Sequence, residues 1–306
     1  MRIVFMGTPA YAVPTLEALI AAGHDVVAVY ARADAASGRG KTLHPCEVKV
    51  AALEHGIEVL TPATFKDDEA VAQLAAFEPD VIVVAAYGML LPQSVLDIPR
   101  LGTFNVHASL LPRWRGAAPI QRAILAGDEE AGVCSMKVEL ALDAGDYITA
   151  GSVPVEGKTT DEVTAELARI GAAGMVEALA AEEAGNAAWA AQDESLVTYA
   201  AKIDKEETLL LPELSAADAV RRILASNHRA PARCIVCGKE VQVIAATPAS
   251  DDVEAGAVLL QKKRIALGFA DGALELVEVK PQGKKEMPVQ GWINGLRNAE
   301  PVWSAV

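Results

Sequence analysis

The chain has 306 residues, and 52% of them are hydrophobic, which is enough apolar material for a core and excludes the disordered and fibrous classes. The 41 acidic residues outnumber the 27 basic ones, and the net charge of −14 by itself disfavours a nucleic-acid partner, because binding a polyanion depends on Lys and Arg. The charge is uneven, however, since residues 1–203 hold 14 basic and 27 acidic residues whereas residues 204–306 hold 13 and 14.

The chain starts with an apolar, strand-like run, Met1 to Met6. No basic region precedes this run and no stretch of about 18 apolar residues follows it, so we expect no signal peptide, no membrane span and a cytoplasmic location. Four cysteines are too few for a disulfide scaffold: Cys46, Cys134, Cys234 and Cys237.

Strand-like and helix-like segments alternate along the first half. The helical spacing of apolar residues from Tyr11 to Ala22 predicts a helix that stops at Gly23, and a polar loop is predicted from Arg32 to Leu43. Apolar strands are predicted at 2–6, 25–30, 80–86 and 102–106. Because these strands are apolar on both faces and are separated by helices, they predict an α/β fold with a Rossmann-like, mostly parallel sheet. Ligands bind such sheets at the carboxyl ends of the strands.

The pattern changes after a long predicted helix, Thr159–Glu183. One helix, Ala216–Ala225, precedes short strand patterns at 234–237, 241–246, 258–260, 264–269 and 273–279. Asp271-Gly272 between the last two is a strong hairpin signal. At about 150 residues per domain, two domains are expected. We therefore predict a domain at residues 1–205, including a linker from about 190, and a smaller C-terminal β-barrel at 206–306.

Two glycine and cysteine patterns favour structural roles. Gly7 stands alone at a strand-to-helix turn, where a dinucleotide site would need three spaced glycines, so a nicotinamide cofactor is not expected and a tight turn is favoured. Cys234 and Cys237 have the spacing of half a zinc site, but no second pair accompanies them. Two small apolar residues of a strand are the preferred interpretation of that pair.

Asn105 and His107 are the residues that point most directly to chemistry. They lie two apart at the end of a predicted strand and thus face the same side, where this fold class places its site. An imidazole transfers protons near neutral pH, and an amide N–H stabilises a developing oxyanion. A carboxylate is expected nearby to orient the imidazole, and the spacing leaves Asp143 and Asp146 as alternatives.

These residues belong to a longer set of motifs. Asn105-x-His107 runs into Ser109-Leu110-Leu111-Pro112, then Arg-Trp-Arg-Gly-Ala-Ala-Pro-Ile-Gln at 113–121, and later Leu142-Asp143-x-Gly-Asp146. In this order the motifs closely resemble the methionyl-tRNA formyltransferase family. The resemblance covers nearly the whole chain, with further matches at Phe5-x-Gly7-Thr8-Pro9, Gly38-Arg39-Gly40-Lys41, Ala86-Tyr87-Gly88, Gly283-Lys284-Lys285 and Trp292-x-Asn294-Gly295. The first motifs are shared by all folate-dependent formyltransferases, while the 113–121 segment and the second domain point to the tRNA enzyme.

The resemblance implies a formyltransferase fold with a C-terminal barrel of the oligonucleotide-binding type that contacts tRNA. It implies that Asn105, His107 and Asp143 are catalytic. It also implies transfer of the formyl group of 10-formyltetrahydrofolate to the α-amino group of methionyl initiator tRNA, without a metal, by a protein that we expect to be a monomer. The residues implied for the folate pocket are Tyr87, Gly88, Leu91, Ser109, Leu110, Leu111 and Pro112, and those for a loop on the tRNA acceptor end are Gly38, Arg39 and Lys41.

Other interpretations stay open from the residues. The same chemistry could act on a nucleotide-sugar amine or on glycinamide ribonucleotide, although enzymes of the latter kind usually lack a second domain. An inactive tRNA-binding paralogue is a further alternative, which the intact Asn105, His107 and Asp143 disfavour. The chain departs from the family at Ala31-Arg32-Ala33-Asp34 and Asn227–Pro231. Basic residues cluster at 39/41, 113/115, 221/222, 262–264 and 284/285, which makes local RNA-binding patches plausible in an acidic chain.

Overall fold

The computed structural model describes residues 1–37, 42–296 and 299–306. Up to residue 200 the elements are β1 (Arg2–Gly7), α1 (Val13–Ala21), β2 (Asp25–Tyr30), β3 (Ala35–Ser37), β4 (Thr42–His44), α2 (Glu47–Glu54), β5 (Val59–Leu60), α3 (Asp68–Ala75), β6 (Val81–Ala85), α4 (Gln93–Leu96), β7 (Thr103–His107), β8 (Arg115–Gly116), α5 (Pro119–Ala126), β9 (Glu130–Lys137), β10 (Tyr147–Pro154), α6 (Thr160–Glu183) and β11 (Tyr199–Ala200). The later elements are α7 (Ala216–Ala225), β12 (Arg233–Val236), β13 (Lys239–Ala249), β14 (Val258–Leu260), β15 (Ile265–Gly268), β16 (Ala273–Pro281), β17 (Met287–Pro288), α8 (Val289–Ile293) and β18 (Trp303–Ser304).

The chain divides into two compact units. Unit 1 comprises Met1–Pro119, Glu130–Pro154 and Val163–Ala200, and unit 2 comprises Ile120–Glu129, Val155–Glu162 and Ala201–Val306. Two short segments of the first half thus group with the C-terminal residues. The sequence pattern does not predict this grouping, because periodicity reflects only neighbours along the chain and not contacts between distant segments.

Unit 1 is built on a seven-stranded sheet of order β10-β9-β7-β6-β1-β2-β5. The strands from β7 to β5 are parallel, and β9 and β10 add an antiparallel edge. The mostly parallel, Rossmann-like sheet predicted from the sequence is confirmed. The predicted polar loop at 32–43 differs in detail, because β3 and β4 within it pair as a short antiparallel hairpin.

Close packing of α6 on one face of this sheet determines which side carries the site. On one face, α6 lies directly on β7 and β9, where a Cβ added at Gly171 would come within 2.6 Å of the Val106 side chain and 2.7 Å of the Val133 side chain. Because neighbouring residues of a strand face opposite sides, His107 points away from α6. At the end of β1, a Cβ on Gly7 would lie 2.8 Å from that of Ala12, which agrees with the tight turn predicted there.

Unit 2 contains a small antiparallel barrel. Its strands follow the order β14-β15-β16-β13-β12-β18, with β17 paired to β16, and a bridge between Ala257 and Val302 brings the two ends of the sheet together. Two irregularities in the pairing of β13 with β16 allow that strand to bend around the barrel. The interior is apolar and includes Val243, Leu267 and Trp303. The smaller C-terminal barrel predicted from the strand pattern is confirmed.

The cysteine pair lies in the barrel, but only one member belongs to a strand. Cys237 has a φ of +51° and Gly238 a φ of +71°, so these two residues form the turn between β12 and β13. The predicted strand at 234–237 is therefore wrong at its last residue. Both thiols are buried in the barrel core, and burial raises the pKa of Cys234 to about 12. They contribute apolar packing, as the sequence favoured.

Within the described parts of the chain, no helix has both the length and the apolar character needed to cross a membrane.

Candidate active site

His107 is the last residue of β7 and is buried, with 5% of its surface exposed. Its Nε2 lies 3.1 Å from the carbonyl oxygen of Trp114. A carbonyl only accepts hydrogen bonds, so Nε2 carries the hydrogen in this contact and Nδ1 is the atom that faces the rest of the site. The Trp114 carbonyl is presented by a bend in the chain, because Trp114 has a φ of +65° and its N–H donates to Thr198 Oγ1 at 2.9 Å.

A carboxylate lies next to Nδ1. The Oδ2 atom of Asp143 is 3.7 Å from His107 Nδ1 and accepts a hydrogen bond of 2.8 Å from the Gly116 N–H. Asp146, the alternative that spacing left open, instead lies 4.0 Å from the Lys137 ammonium. The structure thus brings Asp143, and not Asp146, to the imidazole. The gap is slightly longer than a hydrogen bond.

The contacts of this pair leave one ring nitrogen available. The Asp143 side chain is mostly buried and accepts one backbone hydrogen bond, from the Gly116 N–H. With Nε2 donating to the Trp114 carbonyl, Nδ1 is the ring atom that faces Asp143 and the open part of the site. The arrangement can therefore hold an imidazolium beside a carboxylate in a site partly shielded from water.

Backbone strain is concentrated in the loops around this pair. Among described residues other than glycine, five have a positive φ: Glu78, Ala86, Trp114, Asp143 and Cys237. Three of these lie in the loops that follow β6, β7 and β9 in unit 1. Such conformations cost about 1–3 kcal/mol each and persist only where the surroundings impose them. The loops are therefore held in specific shapes.

Asn105 shares the face of β7 on which His107 lies and is partly exposed. Across the pairing with β9, Asn105 lies opposite Met136 and His107 opposite Cys134. The Cys134 thiol is buried, and burial raises its pKa, so it is a packing group beside the imidazole. The neighbours of the two candidate polar groups on β9 are therefore apolar.

The predicted folate segment 109–112 follows directly after His107. Ser109 is 3% exposed, its N–H donates to the His107 carbonyl at 2.9 Å, and its buried Oγ has no protein partner. Leu110 packs on Gly132, where a Cβ would come within 2.3 Å of it, and Leu111 packs with Cys134. The structure thus places this segment beside the imidazole, with both leucines packed against protein groups.

The second predicted folate segment follows β6. The Tyr87 ring is 2% exposed and packs against Phe65 at 6.5 Å, so its side chain belongs to the core and only its backbone faces the loop. Burial raises the pKa of Tyr87 to about 12, which the nearby Arg32 partly offsets. The Gly88 carbonyl accepts from Arg32, and Leu91 packs at the margin of the same core.

The predicted tRNA-loop residues Gly38, Arg39 and Lys41 lie outside the described residues. Of the other basic clusters, several are engaged within the protein. Arg221 pairs with Asp218, and Arg264 pairs with Asp251 and Glu275. The exposed pairs Lys262/Lys263 and Lys284/Lys285 of the barrel keep their side chains toward solvent.

The structure contains a cavity that the sequence did not indicate. Its volume is about 510 Å³, and it lies in unit 1 between α4, the start of β7 and the loop that leads to Asp143. The buried Oγ1 of Thr103, which lines it, has no protein partner, and Leu140 on its rim is 67% exposed. No local pattern in the sequence marks this cavity, because segments far apart in the chain line it.

Among the residues that the structure describes, no three His, Cys, Asp or Glu side chains are grouped so as to hold a metal ion.

The chain matches two protein families. Residues 1–179 match the formyl transferase family, and residues 202–297 match the formyl transferase C-terminal domain family. Among curated proteins, the methionyl-tRNA formyltransferase of Novosphingobium aromaticivorans is 48% identical over 96% of this chain and 97% of its own length. That of Dechloromonas aromatica is 44% identical over 96% of each chain.

A solved structure agrees on the fold. The sugar 3N-formyl transferase WlaRD, crystallised in the presence of dTDP and 5-N-formyl-THF, has a TM-score of 0.68 to this chain. It is 14% identical, and the match covers 93% of this chain and 99% of that one. With both family matches and full-length relatives above 40% identity, this chain belongs to the methionyl-tRNA formyltransferase family.

Proposed function

We propose that this chain transfers the formyl group of 10-formyltetrahydrofolate to the α-amino group of methionyl initiator tRNA, producing N-formylmethionyl-tRNA for translation initiation. The observation that carries the chemistry is the buried pair of His107 and Asp143, 3.7 Å apart at the carboxyl end of β7. The choice of acceptor is supported by the similarity, over nearly the full length, to curated proteins named methionyl-tRNA formyltransferase.

The reaction begins when the neutral α-amine attacks the formyl carbon. A new N–C bond forms, and the formyl oxygen becomes an oxyanion. The Asn105 amide N–H and the protonated His107 are the groups on the site face of β7 that stabilise this charge. Since the oxyanion forms only on the way to product, this stabilisation lowers the barrier without tightening substrate binding.

Collapse of the intermediate breaks the bond between the formyl carbon and N10. One proton must then move from the attacking amine to N10 of the departing tetrahydrofolate. Asp143 faces His107 Nδ1 and is fixed by the Gly116 N–H, so it orients the imidazole, accepts the amine proton through a water molecule and passes that proton to N10 as the bond to the formyl carbon breaks. A deprotonated amine is already a competent nucleophile, so no step requires a metal.

The donor pocket that we propose is formed by the predicted folate residues at the carboxyl ends of β6 and β7. Ser109–Pro112 continue directly from His107. The segment from Tyr87 through Gly88 to Leu91 follows β6, which is the parallel neighbour of β7, so both segments leave the same edge of the sheet.

For the acceptor, we propose that the C-terminal barrel and the loop of Gly38, Arg39 and Lys41 contact the tRNA. The near-neutral charge of residues 204–306 and the exposed barrel lysines support contact with phosphates there, while the acidic remainder disfavours nonspecific RNA. The corresponding domains are residues 1–205 and 206–306. We also propose a cytoplasmic location, because aminoacylated tRNA is present where translation occurs. We propose a monomer, because the proposed reactive groups belong to one chain.

The test is transfer of labelled formyl from 10-formyltetrahydrofolate to three acceptors: charged initiator tRNA, a nucleotide-sugar amine and glycinamide ribonucleotide. We expect label in the tRNA alone. Label only in a small-molecule amine would overturn the proposed acceptor, and no transfer to any acceptor would favour the inactive paralogue.

A further inference from the structure

Gln192 reaches the Asp143 loop from a distant part of the chain. Its Nε2 donates to the carbonyl oxygens of Asp143 and Gly145, each at 2.8 Å. Its Oε1 accepts from Arg115 Nε at 2.9 Å. Because a guanidinium only donates, this contact sets which end of the amide faces the loop, and both amide hydrogens point at the two carbonyls.

Arg115 is itself held in place. It is 3% exposed, its Nη2 lies 2.7 Å from Glu194, and its N–H donates to the Thr198 carbonyl at 2.9 Å. The next residue, Gly116, supplies the N–H that binds the Asp143 carboxylate. Strand β8 therefore holds the Asp143 loop in two ways. Gly116 binds the Asp143 carboxylate, and Arg115 holds Gln192, which binds the backbone of the loop.

The segment that carries Gln192 is anchored to the sheet upstream. The Trp189 ring stacks on Phe104 at 5.2 Å, and Ala190 forms a backbone bridge with Tyr147 of β10. Gln192 follows two residues later on a backbone whose position these contacts fix. The amide is thus presented to the loop by a rigid support, which is what accurate placement of a reactive group requires.

The loop needs such support because its shape is strained. Asp143 has a φ of +47°, and a Cβ on Gly145 would lie 2.1 Å from the Lys137 carbonyl, so the chain must pass very close to β9. At the C-terminal end of the loop, the backbone N–H of Lys137 donates to the Asp146 carbonyl at 2.8 Å. The two donors of Gln192 hold the near end, where the carboxylate is placed.

We propose that Gln192, oriented by Arg115, is a positioning residue that sets the distance between the Asp143 carboxylate and His107 Nδ1. This inference rests on the proposed function, because it assigns Gln192 a role through Asp143 in formyl transfer. Gln192 itself acts on the loop backbone and is not placed against substrate. Its loss should slow the chemical step and leave substrate affinity unchanged.

The test replaces Gln192 by Met, which keeps the length but removes both donors, and by Glu, which turns acceptor oxygens toward two carbonyls. Single-turnover formyl transfer should slow about 10- to 100-fold in both variants, the range expected when a reacting group shifts by about an ångström. The KM values for donor and tRNA should stay at the wild-type level. Gln73→Glu, on the exposed face of α3 in the same unit, is the matched control for the charge change and should keep the wild-type rate.

A double-variant cycle separates positioning from general damage. If Gln192 acts through Asp143, then Gln192→Met should cause no further loss of rate in an Asp143→Asn background. A wild-type rate in Gln192→Met, a rise in KM without a fall in kcat, or an undiminished loss in the Asp143→Asn background would each overturn the inference.

Folding is checked by thermal unfolding before the kinetics. Should Gln192→Met fail to fold, Gln192→Asn keeps an amide with a shorter reach, and an intermediate loss of kcat at unchanged KM is expected from it. A wild-type rate in Gln192→Asn and Gln192→Glu would also overturn the inference. Failure of the proposed function is distinguishable, because it would show as absence of formyl transfer to tRNA by the wild-type chain.

Discussion

The two units differ in where they place strain and unpaired polar groups. Buried side-chain hydroxyls without a protein partner all belong to unit 1 among the described residues, and they include Ser109 beside the candidate site. In the described part of unit 2, the buried side-chain atoms without a hydrogen-bond partner are single Nε atoms of arginines. The one residue other than glycine with a positive φ in that part is Cys237, in a hairpin turn. Unit 1 thus bears costs that unit 2 avoids.

This difference teaches where chemistry can be built. A residue held in an unfavourable conformation, or a hydroxyl left without a partner, persists only when the surrounding packing is strong enough to impose it. The seven-stranded sheet with α6 on one face provides that support. The barrel instead combines a well-paired apolar interior with exposed lysines, which suits a surface that binds without reacting. The following predictions test this division.

The largest effect is expected in the barrel core. Trp303 is 4% exposed, packs on Phe269 at 4.8 Å and donates from Nε1 to the Gly268 carbonyl at 3.0 Å. Trp303→Ala should lower the free energy of unfolding of unit 2 by about 3–5 kcal/mol, the usual loss for a buried aromatic. This loss of unfolding free energy is measured by hydrogen exchange at increasing denaturant concentration, and the amides of the barrel should exchange faster in the variant. Trp303→Phe, which loses the hydrogen bond and part of the ring but keeps an aromatic side chain, should cost less; equal losses would contradict this account of the core.

Replacement of His107 should reduce catalysis. We expect His107→Ala to lower kcat by about 10²-fold or more, the range for loss of general acid–base catalysis. His55→Ala is the control, since His55 pairs with Glu17 on the exposed side of unit 1 at 2.9 Å. An unchanged rate of formylation in His107→Ala would remove the imidazole from the mechanism.

The two aspartates of the 142–146 loop should separate clearly. Asp143→Asn keeps the shape but removes the charge that faces His107, so kcat should fall about 10²-fold, at the lower end of the general acid–base range. Asp146→Asn removes only the distant pairing with Lys137 and should change kcat little. Steady-state kinetics of both variants decides the matter, and equal effects would mean that the 3.7 Å contact does not identify the reactive carboxylate.

The smallest effect is expected on the barrel surface. Lys284→Ala combined with Lys285→Ala should raise the KM for tRNA and leave kcat unchanged. The salt dependence of tRNA binding should fall by about one unit of slope for each phosphate that the variant no longer neutralises. Lys66→Ala, an exposed lysine of unit 1, is the control and should change neither. An unchanged salt dependence in the barrel variant would place the tRNA elsewhere.

Much of the fold followed from patterns that are local in sequence. Alternation of apolar strands with helices predicted the parallel sheet, and the hairpin signal at Asp271-Gly272 predicted the link between β15 and β16. The long helix was expected at 159–183 and begins at Thr160. The turn at Cys237 was missed, because a left-handed conformation at a cysteine has no compositional signature. The hairpin of β3 and β4 was missed because strands of three residues are too short to show an alternating pattern.

Of the site, the sequence by itself determined which residue types were available: Asn105 and His107 on one face of β7, and two aspartates in a later turn. These follow from spacing along a single element. Only the tertiary structure decided that Asp143 lies nearer the imidazole than Asp146, that a cavity opens beside that loop, and that Gln192 and Arg115 hold the loop in place. The physical reason is that these contacts join residues as far as 77 positions apart, and their geometry depends on packing that no local pattern encodes.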